Sequence, residues 1–242
     1  MRIKEVYNIA MPIEKRKEEK FNVWVSLFVR PFSILLTFFL LKTRIKPITI
    51  TAISIIFSLL GFMFLAFGGS IVFALIGWSM FFLWAVLDGV DGNLARCQKT
   101  CSKRGDLWDT TGGYAAMVLI YFSAGIASFY DNNLCSLFDS HYLLILGGAT
   151  ALFSIFPRLV MHKKKSAQID SESVKALSDK KAFSFSKVVA MNLISPSGFM
   201  QVIFLVCIIF HLLNFFITFY AFINFCIMCL SLYRLLGEKE SE

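Results

Sequence analysis

The sequence predicts an all-α integral membrane protein, six transmembrane helices preceded by an interfacial amphipathic helix, and three observations carry that expectation. The first is composition: 57% of the 242 residues are hydrophobic, 17% are charged, and the mean hydropathy is +0.69. A water-soluble domain carries about 25% charged residues, so a soluble globule is excluded, and the apolar excess excludes intrinsic disorder. The second is length. Six stretches, 48–67, 70–88, 107–129, 142–161, 195–212 and 215–233, approach the roughly 20 apolar residues that cross a bilayer as a helix, and their continuous apolarity argues against the alternating strands of a barrel. The third is charge placement, because all 24 Lys and Arg fall on one side of a six-span arrangement.

The elements follow in order. Residues 1–46 form the expected cytosolic N-terminus and interfacial helix. The first twenty residues are charged on both signs and lack an apolar h-region, so no cleavable signal peptide is expected. Residues 24–41 are apolar, but Arg30 and Pro31 sit mid-way and Lys42, Arg44 and Lys46 follow at once. A crossing there would strand that basic cluster on the wrong side, so this helix is expected in the interface plane, drawn to anionic membrane lipids. The membrane domain covers 47–236 and a cytosolic tail covers 237–242. Ten Lys and Arg precede the first span, four lie between spans two and three, eight fall in 158–187 and two lie at the end, while the alternate loops carry none. Both termini are therefore expected in the cytosol.

The +8 net charge is thus a topology signal, and no nucleic-acid partner is expected. Gly68-Gly69 predicts a tight outer turn, and Gly147-Gly148 a close helix contact. The polar, Lys- and Ser-rich stretch 163–187 reads as a solvated linker. Of the six cysteines, Cys207, Cys226 and Cys229 lie in spans and Cys97 and Cys101 in a basic loop, which gives neither a disulfide framework nor a zinc pair. His141 and His211, near the outer side, read as structural.

Chemistry concentrates in four acids, Asp88, Asp91, Asp106 and Asp109, at the cytosolic ends of spans two and three. An Asp near the bilayer centre costs on the order of 3 kcal/mol, so something must offset this density of like charge. Asp88 and Asp91 share a face if the helix continues, and Asp106 and Asp109 repeat that spacing. A hard cation with oxygen ligands is the natural counterpart, and Mg²⁺ fits best because it accepts a few carboxylates and completes its shell with water and phosphate oxygens. Gly92 and Gly105 leave the backbone open beside these acids, and Arg96 offers a planar fork for phosphate.

Residues 88–109 read D-x-x-D-G-x-x-A-R-x8-G-x3-D, which resembles the signature of the CDP-alcohol phosphotransferase family. The layout of an interfacial helix, six spans and a motif between spans two and three is similar as well. The resemblance implies a transferase that moves a substituted phosphate from a CDP-alcohol donor to a lipid or small-alcohol acceptor with release of CMP. It implies Asp88, Asp91 and Asp109 as metal ligands, holding two Mg²⁺ or Mn²⁺ ions per site, or one. It implies Gly92, Ala95, Arg96 and Gly105 around the donor nucleotide, a homodimer, and the inner membrane of a prokaryote.

Two departures stand out. The family's fourth aspartate, a metal ligand and the base for the acceptor, falls on Gly113. The family-like P-N-x-x-T opening of span one survives in part, as Pro47, Ile48, Thr49, Ile50 and Thr51, leaving Thr51 as a substrate-contact candidate. Three accounts of Gly113 stay open. Asp106 could compensate, although it lies one turn to the other side of Asp109. A base could come from elsewhere, His162 being one candidate, or an already ionised acceptor could need none, with Arg158 and His162 binding it. Last, the chain could be a catalytically lost homologue that binds nucleotide or metal, or a slow enzyme that relies on metal and proximity alone.

Overall fold

The computed structural model describes residues 2–19, 21–131, 140–167 and 192–237. Among these residues the protein is helical, with no strand. In chain order the helices are α1 (Ile3–Ala10), α2 (Ile13–Glu19), α3 (Arg30–Leu40), α4 (Pro47–Phe67), α5 (Ile71–Cys97), α6 (Lys103–Tyr130), α7 (Ser140–Ser166), α8 (Met200–Ile209) and α9 (Leu213–Gly237). A run of wider π-type turns, Val25–Val29, leads straight into α3.

Local chemistry sets the ends. Pro47 occupies the first turn of α4, where its missing N–H costs nothing. Gly69, at φ +62°, makes the expected tight turn into α5. α5 stops where Lys99 takes φ +56° and the Thr100 N–H reaches back to the Ala95 carbonyl at 2.9 Å. Ser102 then caps α6 by accepting from the Gly105 N–H at 3.1 Å.

Five helices, α4, α5, α6, α7 and α9, are long and apolar enough to cross a membrane. Their boundaries match the predicted spans closely, except that α5 runs on beyond residue 88 through the whole acid motif to Cys97. The stretch 195–212, predicted as a sixth crossing, holds α8 with ten residues. At 1.5 Å per residue α8 rises about 15 Å, half of a hydrocarbon core about 30 Å thick. Turns over residues 196–199 precede it, and His211, at φ +54°, ends it.

α4 wedges between α5 and α6, and α7 packs between α6 and α9. Glycines set the closest approaches. A Cβ on Gly125 of α6 would lie 2.7 Å from the Gly147 Cα on α7, and one on Gly77 of α5 would lie 2.9 Å from the Gly61 carbonyl on α4. α8 docks on α5 through Gln201, whose carbonyl accepts from Trp78 Nε1 at 2.8 Å. The outward residues Ile56, Leu59 and Met63 on α4 and Phe222 and Leu230 on α9 are exposed, as a lipid-facing surface requires.

The N-terminal helices are part of this packing. Val6 and Ala10 of α1 are fully buried, and α3 lies along α5 with Ser33 and Thr37 buried beneath it. Asn93 of α5 donates to both hydroxyls at 3.4 Å, which fixes the depth of α3 beside the acid motif.

Candidate functional site

Because α5 stays helical, Asp88 and Asp91 sit three apart on one continuous element, and Asp109 projects from the second turn of α6. Asp91 is 3% exposed, Asp88 half-buried and Asp109 exposed, so the acids step outward from the packed helices to the rim. They lie close enough to repel one another, with Asp88 acting on both Asp91 and Asp109 and Asp91 acting on Asp109. α4 holds α5 and α6 at this spacing.

Asp91 is the oriented member of the set. Thr51 Oγ1 donates to its Oδ2 at 2.6 Å, and the Gly92 N–H donates to its Oδ1 at 2.5 Å. The sequence reading makes Thr51 a substrate contact, and the structure turns its hydroxyl onto Asp91. Its methyl lies 3.9 Å from where a Cβ on Gly112 of α6 would be, so this one residue touches both acid-bearing helices.

Gly92 lies inside α5, and the space above it is occupied: a Cβ there would meet Arg96 Nη1 at 3.2 Å. Arg96 is anchored, its Nε donating to the Ala10 carbonyl at 2.7 Å and its Nη2 to Asn93 Oδ1 at 2.8 Å. One of its three nitrogens thus ties α5 to α1, a second is held within α5 by Asn93, and Nη1 lies nearest the Cβ position of Gly92. Ala95 is half-buried one residue away, and Gly105 belongs to the cap of α6. Asp106 is exposed in the first turn of α6, where a negative charge suits the helix dipole.

Gly113 faces open space, because a Cβ there meets nothing within 4 Å. The next residue, Tyr114, stacks edge-on against the His162 ring with centroids 5.8 Å apart, and the Arg158 charge acts on the same tyrosine. Among the described residues the buried Tyr114 hydroxyl has no hydrogen-bond partner. The α7 candidates therefore meet α6 one residue past the position where the motif lacks its acid.

Sequence reasoning missed the contribution of α2 and α3. Arg30 pairs with Glu19 through Nε and Nη2, and both residues are mostly buried beside α5. A signal existed in Ser33 and Thr37, two small hydroxyls four apart on an otherwise apolar helix, which mark a face packed against another helix.

The donor set suits a hard divalent cation in kind: three carboxylates, one held by two hydrogen bonds that leave lone pairs on both oxygens. Among the described residues no three Asp, Glu, His or Cys side chains are already closed around one point, so a cation held by all three acids would have to draw them closer together.

No curated protein matches the chain. Residues 44–227, from the start of α4 through most of α9, match the CDP-alcohol phosphatidyltransferase family. The match covers α4 to α7, most of α9 and the acid motif, and agrees with the resemblance carried by Asp88, Asp91, Gly92, Ala95, Arg96, Gly105 and Asp109. The chain is an integral membrane protein that belongs to the CDP-alcohol phosphatidyltransferase family, a family of transferases acting on CDP-linked alcohols.

Proposed function

We propose that the protein transfers a substituted phosphate from a CDP-alcohol to a lipid or small-alcohol acceptor and releases CMP, in a site formed where α4, α5 and α6 meet. The observation that carries this reading is the gathering of Asp88, Asp91 and Asp109 at one end of the bundle, with Asp91 fixed by Thr51. Mg²⁺ or Mn²⁺ bound by these acids, two ions or one, would neutralise charge on the diphosphate during a transfer governed by positioning and electrostatics. Thr51 and the Gly92 amide hold the Asp91 carboxylate in place, and Arg96 lays its guanidinium over Gly92, where Nη1 can donate to a phosphate oxygen that approaches it.

The acceptor side is formed by the open space at Gly113 together with Tyr114, His162 and Arg158. With no acid at 113, deprotonation falls to His162, or the acceptor brings an ionised group that Arg158 holds. We also infer a sixth crossing made by the α8 region, an interfacial placement of α3, both termini in the cytosol, a homodimer, and residence in the inner membrane of a prokaryote.

The test is CMP release by the purified protein in nanodiscs with Mg²⁺ and a panel of CDP-alcohols. Release that disappears in Asp91→Ala supports the transferase. CDP-alcohol binding with no CMP release in the presence of any acceptor supports the second reading, a catalytically lost homologue, which the empty position at Gly113 favours.

A further inference from the structure

Two arginines reach the acid motif in the same way. Arg96 Nη1 lies 3.2 Å from the Cβ position of Gly92, and Arg30 Nη1 lies 3.2 Å from the Cβ position of Gly89. The two glycines are three apart, on neighbouring turns of α5, and Gly89 directly follows Asp88. Each guanidinium spends its other two nitrogens on the protein: Arg96 on Ala10 and Asn93, Arg30 on both oxygens of Glu19. Each is thereby held with Nη1 toward α5.

Arg30 Nη1 is buried and has no hydrogen-bond partner among the described residues. Leaving such a donor buried and unsatisfied costs about 1–3 kcal/mol, more for a charged group. An anchor that fixed the side chain for stability alone would gain from turning that nitrogen to an acceptor or to solvent. The charge of Arg30 acts on Asp88, and the position of Nη1 against Gly89, the residue after Asp88, puts that nitrogen on the α5 side of α3. Around it are Glu19 and Lys15 from α2, Ser33 from α3 and Arg96 from α5. The missing Cβ at 89 and 92 lets both guanidiniums lie close against α5, with Ser33 Cβ and Oγ sharing the space at Gly89 at 3.1 Å, so an oxyanion drawn to this side of the acid cluster would meet two fixed guanidinium nitrogens.

We propose that Arg30 is a diphosphate-binding residue of the donor site, paired with Arg96. Glu19 is its positioning residue, fixing the fork so that the third nitrogen faces substrate. The proposal rests on the donor reading above and adds a residue from outside the D-x-x-D-G-x-x-A-R segment. It gives α2 and α3 a part in substrate selection: a ligand with two phosphates can span both arginines, and a ligand with one cannot.

The experiment compares the dissociation constants of CDP, CMP and cytidine for the full-length protein in nanodiscs with Mg²⁺ present. A hydrogen bond between charged groups is worth about 1.5–3 kcal/mol, so Arg30→Gln is expected to weaken CDP by about tenfold or more and to leave cytidine unchanged. Arg30→Lys keeps a charge for Glu19, so it preserves the fold, but an ammonium cannot serve Glu19 and a phosphate in one planar array. It should therefore lose most of the preference for CDP over CMP while its melting temperature stays at that of wild type. An unchanged preference for CDP in Arg30→Lys overturns the proposal, as does a parallel loss of all three ligands in Arg30→Gln, which would mark a purely structural residue. Wild-type protein that binds no CDP would overturn the donor reading itself and this inference with it, a result distinct from intact CDP binding in the arginine variants.

Discussion

Thr51 Oγ1 lies 2.6 Å from Asp91 Oδ2, and this bond joins the first long helix to the second at the one fully buried acid of the motif. The threonine also reaches its own Pro47 carbonyl at 3.3 Å, so the hydroxyl is placed by α4 before it meets α5. Its methyl faces Gly112 of α6. One side chain therefore couples the separation of three helices to the direction of a carboxylate. That coupling explains why a Thr survives at 51 although an Ile stands where the family-like opening has Asn.

Thr51→Val keeps the shape against Gly112 and removes the donor. Asp91 then loses one of its two hydrogen bonds, worth about 1.5–3 kcal/mol to an ionised group. CMP release is expected to fall about ten- to a hundredfold by the same free energy, and Thr51→Ser is expected to restore most of it. Parallel rate measurements on the two variants check this; equal rates in wild type and Thr51→Val would detach Thr51 from the site.

Gly125 and Gly147 bring α6 and α7 so close that a methyl on either collides with backbone at 2.7 Å. Backbone cannot yield as a flexible side chain can, so Gly125→Ala should destabilise the bundle by about 1–3 kcal/mol or more. Gly148, one residue along, faces open space, and Gly148→Ala should be neutral. Thermal unfolding in one detergent compares the pair. The sequence singles out Gly147-Gly148 as one unit, and the structure divides it, because a helix rotates 100° between neighbours and only one of them can face α6.

What was legible follows from the same physics. The long spans are written as continuous apolar runs with charge at their ends, so α4, α6, α7 and α9 fall within a few residues of expectation. The extension of α5 to Cys97 was less visible, because charged and glycine residues look like a loop by hydropathy, although Asp88 and Asp91 share a face only if the helix continues. The α8 region was legible in part: residues 195–212 are apolar enough for a crossing, while the ends of the ten-residue helix are set by Pro196 and Gly198 before it and by the left-handed His211 after it. The contacts of Arg30, Glu19 and Asn93 were the least accessible. They depend on how α3 lies against α5, a non-local pairing that leaves only the Ser33 and Thr37 spacing as its trace.

His211 ties the turn between α8 and α9 to the end of α6, its Nδ1 lying 2.6 Å from Asp131 Oδ1 beside a cavity of about 160 Å³. Its φ of +54° costs a non-glycine residue roughly 1–2 kcal/mol, and the charge-assisted bond returns about 1.5–3 kcal/mol. His211→Gly removes both terms, whereas His211→Ala removes the bond and keeps the strain. Melting temperatures should therefore fall in the order wild type, His211→Gly, His211→Ala. CDP affinity should be unchanged throughout, since the motif lies at the far end of α5. Equal melting temperatures for the glycine and alanine variants would show that the left-handed conformation carries no strain.

Gly113 faces open space one turn beyond Asp109 on α6, so a carboxylate introduced there meets no steric barrier. Gly113→Asp would add a fourth oxygen donor on the same helix as the exposed Asp109, four residues away, which places both on one face. Four carboxylates repel more strongly than three, so the variant should be less stable without divalent ions and should gain more stability from Mg²⁺ than wild type does, because a cation that binds the folded state alone stabilises it by mass action. Calorimetric titration with Mg²⁺ is expected to show tighter binding in Gly113→Asp. Weaker binding, with the fold intact, would place the metal site away from the α5 and α6 rim and leave Asp88 and Asp91 without the partner that α6 supplies.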